Sequence, residues 1–137
     1  MNATVAHRFT FCTTNPLYPQ RGDTEYGPDY EVELVFAGPV RAGLVVSDDD
    51  VQHFWDPAHE VLDYHVLERV DGLPEPTIVN IASWLLVQLT STWVLPDVSA
   101  LLTCVRVRES GMSTWCAICR EDLSPADFER LRYHLKD

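Results

Sequence analysis

The stretch Tyr30-Glu31-Val32-Glu33-Leu34-Val35-Phe36 decides the fold. Tyr30, Val32, Leu34 and Phe36 alternate with Glu31, Glu33 and Val35, a period of two that makes a strand with one apolar and one wetter face. Upstream, Val5 to Phe11 (Val-Ala-His-Arg-Phe-Thr-Phe) reads as a second strand, and the Pro-, Gly-, Thr- and Asn-rich segment from Cys12 to Asp29 as the loop between them. Downstream, Ala37 to Ala42 reads as a turn and Gly43 to Val46 as a short strand. Ser47 can cap a helix whose first turn carries Asp48, Asp49 and Asp50, where the helix dipole favours anions. Val51, Phe54, Trp55 and Ala58 follow at helical spacing, and Pro57 is expected to kink or end that helix early. Asp63 to Pro76 reads as loop. Thr77 caps a helix from Ile78 to about Leu89 that is apolar nearly all round and therefore buried on several sides. Ala100 to Ser110 and Ser113 to Arg120 read as strands joined by a tight turn at Gly111. Ser124-Pro125 opens a last helix to about Leu135.

Strand, strand, two helices, strand, strand and an added helix make an α+β domain with helices gathered on one face of an antiparallel sheet. The 137 residues suit one domain, and a hydrophobic share of 46% suits a substantial core. A formal charge of −11 repels phosphate backbones, so nucleic acid is not an expected partner. No signal-like segment opens the sequence, and the apolar run Ile81 to Leu89 is too short to span a bilayer. The reading is a soluble, cytoplasmic chain with no membrane partner. Of the cysteines Cys12, Cys104, Cys116 and Cys119, the last two have redox or zinc-knuckle spacing. On a strand, however, residues three apart face opposite sides, so they are read as ordinary strand cysteines.

Six segments occur in an order that resembles the 6-pyruvoyl- and 6-carboxy-tetrahydropterin synthase family: Ala6-His7-Arg8, Tyr26-Gly27-Pro28-Asp29-Tyr30, Gly43-Leu44-Val45-Val46, Leu62-Asp63-Tyr64-His65, Gly72-Leu73-Pro74-Glu75-Pro76-Thr77 and Val107-Arg108-Glu109-Ser110. The likeness covers about residues 3–118, with a C-terminal helical extension at about 124–136. It implies the tunnelling fold, in which subunits join edge to edge into a β-barrel with active sites between them, here as a homo-oligomer (a trimer or hexamer). It also implies a small-molecule substrate.

In that family three histidines hold zinc. By the likeness the first matches His7, and the other two fall at Tyr26 and Pro28, neither of which suits zinc. The family's cysteine falls at Gly22, and the histidine of its Leu-Asp-His segment falls at Tyr64, with His65 one residue late. Glu109 matches the glutamate that anchors the pterin ring. Alternation supports that position: Val105, Val107 and Glu109 share one strand face, and a carboxylate ending an apolar stripe asks for a partner with N–H donors. The expectation is a diverged lyase-, cyclase- or isomerase-type biosynthetic enzyme that uses no metal or other cofactor. It would move protons on a small polar ring compound through His7, Tyr26, Asp63, Tyr64 and His65, with Glu109 binding substrate. The alternatives are a non-catalytic ligand- or partner-binding relative, and a zinc-dependent lyase with rearranged ligands.

Overall fold

The structure is a computed structural model that describes residues 1–14, 26–91 and 94–131, together with every side chain in those ranges except that of Tyr26. Four strands form one antiparallel sheet in sequence order: β1 (Asn2–Thr14), β2 (Tyr26–Pro39), β3 (Leu102–Glu109) and β4 (Cys116–Cys119). The helices are α1 (Asp48–Leu62), α2 (Ile78–Ser91), α3 (Pro96–Leu101) and α4 (Pro125–Leu131). This is the α+β architecture that the alternating strands and helical runs predict.

The inner sheet face is the apolar stripe. Val32, Leu34, Phe36, Leu102, Val105 and Val107 are fully buried, packed with Val51, Phe54, Trp55, Ala58 and Leu62 of α1 and the wide apolar surface of α2. The outer, helix-free face carries the polar alternates. Arg8, Glu33 and Arg106 lie in register across three strands, and Glu31 faces Arg108 one row along. Glu33 is 8% exposed, yet its carboxylate accepts hydrogen bonds from Arg8 (2.8 and 3.3 Å) and from Arg106. Glu31 accepts from Arg108, and the guanidinium carbons of Arg8, Arg106 and Arg108 lie 5.5, 4.8 and 4.8 Å from the Trp115 ring centre. Trp115 therefore folds back over the charged rows as a cation–π lid.

Both expected caps form. Ser47 Oγ accepts from the Asp50 amide (3.2 Å), and Thr77 Oγ1 from the Asn80 amide (3.1 Å). The strands at Val5–Phe11 and Tyr30–Phe36 run longer than the alternation suggests, because cross-strand pairing carries on into polar residues at both ends. Gly43 to Val46 is not a strand. Arg41 and Leu44 pair across a tight turn, with Ala42 and Gly43 both at positive φ. Pro57 does not end α1 early, as the helix runs on to Leu62. Its ring sits away from the buried stripe, and the carbonyl it deprives, that of His53, belongs to an exposed residue. The expected strand from Ala100 begins only at Leu102, because Leu95 turns left-handed (φ 50°) and Pro96 starts α3 there. The last strand shortens to Cys116–Cys119 and is followed by a single 3-10 turn. Ser124 caps α4 as expected, and residues beyond 131 lie outside the described ones. No described helix is long and apolar enough to cross a membrane.

Candidate active site

One end of the sheet gathers most of the residues that the sequence singles out. There β1 finishes, β2 starts and β3 finishes. The segment after α1 docks against the free edge of β1. The Tyr64 amide donates to the Cys12 carbonyl (2.7 Å), the Thr14 amide donates to the His65 carbonyl (3.1 Å), and Thr13 and His65 form a parallel bridge. Asp63 is held from two sides. Its Oδ1 accepts the Cys12 amide proton at 2.9 Å, and its Oδ2 stands 3.6 Å from His59 Nε2, one helical turn back on α1. His59 is thus the histidine beside this carboxylate. The likeness to Leu-Asp-His points instead to residues 64 and 65, whereas i,i+4 spacing at a helix end was the signal that could have found His59.

Tyr64 is 59% exposed and holds a left-handed backbone (φ 56°), which is unfavourable for a bulky residue and aims its ring outward. The His65 ring turns back on the Asp63 carbonyl (Nδ1 to O 2.7 Å) and is exposed. Tyr26 lies in β2 opposite Thr14, but its side chain, like Glu25 and Gly22, lies outside the described residues. Gly27 is required where it stands: a Cβ there would meet Thr13 Oγ1 at 2.4 Å. That hydroxyl, buried in the site wall, donates to the Pro28 carbonyl at 2.6 Å.

Beside these residues opens a cavity of about 250 Å³ lined by Thr13, Pro28, Tyr30, Leu67, Glu68 and Pro76. Tyr30 stacks on Phe11 (5.2 Å) and faces Glu109 on β3 in register. Burial pushes the Tyr30 phenol above its ordinary value, and the charges of Glu109 and Glu68 push it further the same way. The phenol faces Glu109 in register and shares the cavity lining with Glu68, a polar edge suited to a ligand carrying several N–H donors. The Cys12 thiol is raised by burial, by its hydrogen bond to Asp29 and by the charges of Asp29 and Asp63. It is therefore a protonated group rather than a thiolate nucleophile.

Within one chain His7 lies apart from this site. It pairs with Leu34, four residues from the Tyr30 and Glu109 row and six from Pro28, roughly 13 and 20 Å along a strand. Its ring is edge-on to Phe36 (5.8 Å), and its Nδ1 lies 3.3 Å from Asp48 Oδ1, tying β1 to the start of α1. The residues present therefore do not fit a three-histidine zinc centre. Pro28 has no side-chain donor, and the one histidine matched by the likeness is far along the strand. Among the described residues no cluster of three His, Cys, Asp or Glu side chains is placed to hold a metal.

A sequence profile described as 6-pyruvoyl tetrahydropterin synthase matches residues 3–122. The structure of the 6-pyruvoyl tetrahydropterin synthase of Caenorhabditis elegans is similar, with a TM-score of 0.62 and 15% identity over 87% of this chain and 94% of that one. So is that of an uncharacterized protein from Wolinella succinogenes, with a TM-score of 0.60 and 17% identity over 88% of this chain and 99% of that one. No curated protein matches. The order of strands and helices and the match over residues 3–122 agree, and the chain belongs to the 6-pyruvoyl tetrahydropterin synthase family.

Proposed function

We propose that the protein is a pterin-synthase-like enzyme that moves protons on a small, flat, polar ring compound, such as a pterin-like nitrogen heterocycle, without zinc. The observation that carries this reading is the Asp63–His59 pair. A carboxylate fixed by a backbone amide lies 3.6 Å from an imidazole where α1 ends against β1, a pairing of the kind that takes and returns protons in acid–base catalysis. Glu109, with Glu68, would hold the N–H edge of the ring beside Tyr30. Tyr64, with Tyr26 or His65, would donate to an oxygen that gains charge during cyclisation, isomerisation, dehydration or carbon–carbon cleavage. A homo-oligomer, as trimer or hexamer, in a biosynthetic pathway of the cytoplasm completes the reading. The paired carboxylates around Tyr30 also favour a second one, a binding protein that retains such a ligand without converting it.

The test uses purified chain and a reduced pterin as probe, with elemental analysis, calorimetry and turnover side by side. Glu109→Gln removes a charge-assisted acceptor contributing roughly 1.5–3 kcal/mol, so affinity should fall on the order of tenfold to a hundredfold. Asp63→Asn and His59→Gln should slow turnover about 10²-fold or more with little change in affinity. Tight binding with no turnover selects the binding reading. About one zinc per chain, removed by chelator together with activity, would sink the metal-free reading.

A further inference from the structure

Cys104 and Cys119 stand directly opposite one another in the β3–β4 register, and their sulfurs are 2.7 Å apart. Opposed cross-strand residues hold their Cβ atoms about 4.5–5.5 Å apart, close to the spacing that a disulfide spans. The Cys-x-x-Cys partner suggested by spacing, Cys116, pairs instead with Val107 and packs against the core from the other sheet face. The geometry therefore selects Cys104, fifteen positions away, over the neighbour three positions away.

The strand end carrying Cys119 is pinned. The Cys119 amide donates to Asp122 Oδ2 (2.8 Å), and the Arg120 guanidinium donates to the carbonyls of Leu102 (2.6 Å) and Ser99 (2.7 Å). These contacts hold one thiol over the other before any bond forms. The two sulfurs also differ. Cys119 is part-exposed, whereas Cys104 is buried, and burial together with the Cys119 contact pushes its thiol up to about 12. An incoming reagent meets Cys119 first, and Cys104 waits beneath it.

We propose that Cys104 and Cys119 form a reversible dithiol–disulfide site that reacts with small-molecule disulfides. The Cys119 sulfur, having lost its proton, attacks one sulfur of the reagent. A mixed disulfide forms and one small thiol leaves with a proton. The Cys104 sulfur, its proton passed to solvent, then attacks Cys119. The Cys104–Cys119 bond forms and the second small thiol leaves. The protein loses two electrons and two protons, and the reagent disulfide is reduced to two thiols. Proximity makes the second step effectively unimolecular despite the reluctance of Cys104 to ionise. The bond would staple the short edge strand β4 to β3 without altering the register.

The experiment incubates the full chain at stepped ratios of oxidised to reduced glutathione, alkylates free thiols and maps linked peptides by mass spectrometry. The expected product is a Cys104–Cys119 link, lost again on reduction, with the oxidised protein melting on the order of 10 °C higher. In Cys104→Ser the reaction should stop at a persistent mixed disulfide on Cys119. Cys116→Ser should leave the link intact. Alkylation of both cysteines at every ratio, or a Cys116–Cys119 link in their place, overturns the proposal, and the wild-type measurement decides this whether or not a variant folds.

Discussion

At the scale of single residues, Glu33 shows how a carboxylate survives on a nearly covered sheet face. Burial alone would push its proton affinity up. The hydrogen bonds from Arg8 and the charge of Arg106 outweigh that and hold it below the usual carboxylate range. A depressed folded value means that the unfolded chain binds the proton first as pH falls. The stability from this network is therefore present above the ordinary glutamate range and is lost as pH drops below about 4. Glu33→Gln should cost about 1–2 kcal/mol near neutrality, the half-exposed arginines limiting the figure, and should flatten the acid limb of the stability curve. Denaturant melts of both proteins between about pH 2 and 7 measure it, and parallel curves would refute it. The same scale shows why the site was only partly legible. Glu109 drew attention because it ends an alternating stripe, and Asp63 because it sits in a segment resembling the family's Leu-Asp-His, and the structure places both at the same end of the sheet. The within-chain place of His7 was not legible because a three-residue match carries no register, and pairing with Leu34 rather than Pro28 is a long-range property of two strands. His59 drew no attention in the sequence because its place beside Asp63 arises only where α1 ends.

At the scale of elements, periodicity and caps were legible. Ser47, Thr77 and Ser124 each start a helix, and the buried stripes lie where spacing puts them. The errors share one cause, in that tertiary packing overrode a local signal. α3 follows a Leu-Pro pair whose Pro is a good first helical residue, but six residues of helix are too few to show a period. In α1, burial of Phe54, Trp55, Ala58 and Leu62 carries the helix past Pro57 although one backbone hydrogen bond is missing. Pro57→Ala restores an amide for the His53 carbonyl on the wet side and leaves the core stripe unchanged. It should therefore stabilise the protein by about 1–3 kcal/mol, less the unfolded-state stiffening that the proline supplied. Thermal melts should show Tm rising by several degrees. A fall in Tm would mean that the Pro57 ring makes packing contacts that α1 depends on.

At the scale of the whole molecule, the sheet has two open edges among the described residues. Among the described residues β1, 13 residues long, pairs with β2 on one side only and is met on the other by the 63–65 segment at its far end alone. β4, four residues long, forms the opposite edge. A long edge strand is a template for another chain, and closing the edges removes the hazard. Because Cys12 turns its amide outward to Asp63, and the β1–β2 register is unbroken from Asn2 to Cys12, the amide of Thr10 also points away from β2. Thr10→Pro thus removes one outward N–H and leaves the internal ladder whole, a substitution that an edge strand tolerates. If copies join through this edge, light scattering should find the wild-type chain at three or six times 15.6 kDa and Thr10→Pro near the single mass, with its circular dichroism retained. Phe9→Pro, which strikes the ladder to β2, should instead lose the fold. The charge of −11 adds a sign to check: acidic copies repel, so added salt should tighten an assembly held by backbone pairing and apolar contact. A monomeric wild type at micromolar concentration would rule out assembly. A full-size Thr10→Pro oligomer would move the seam to another surface, and a site completed by a neighbouring chain would have to be sought there.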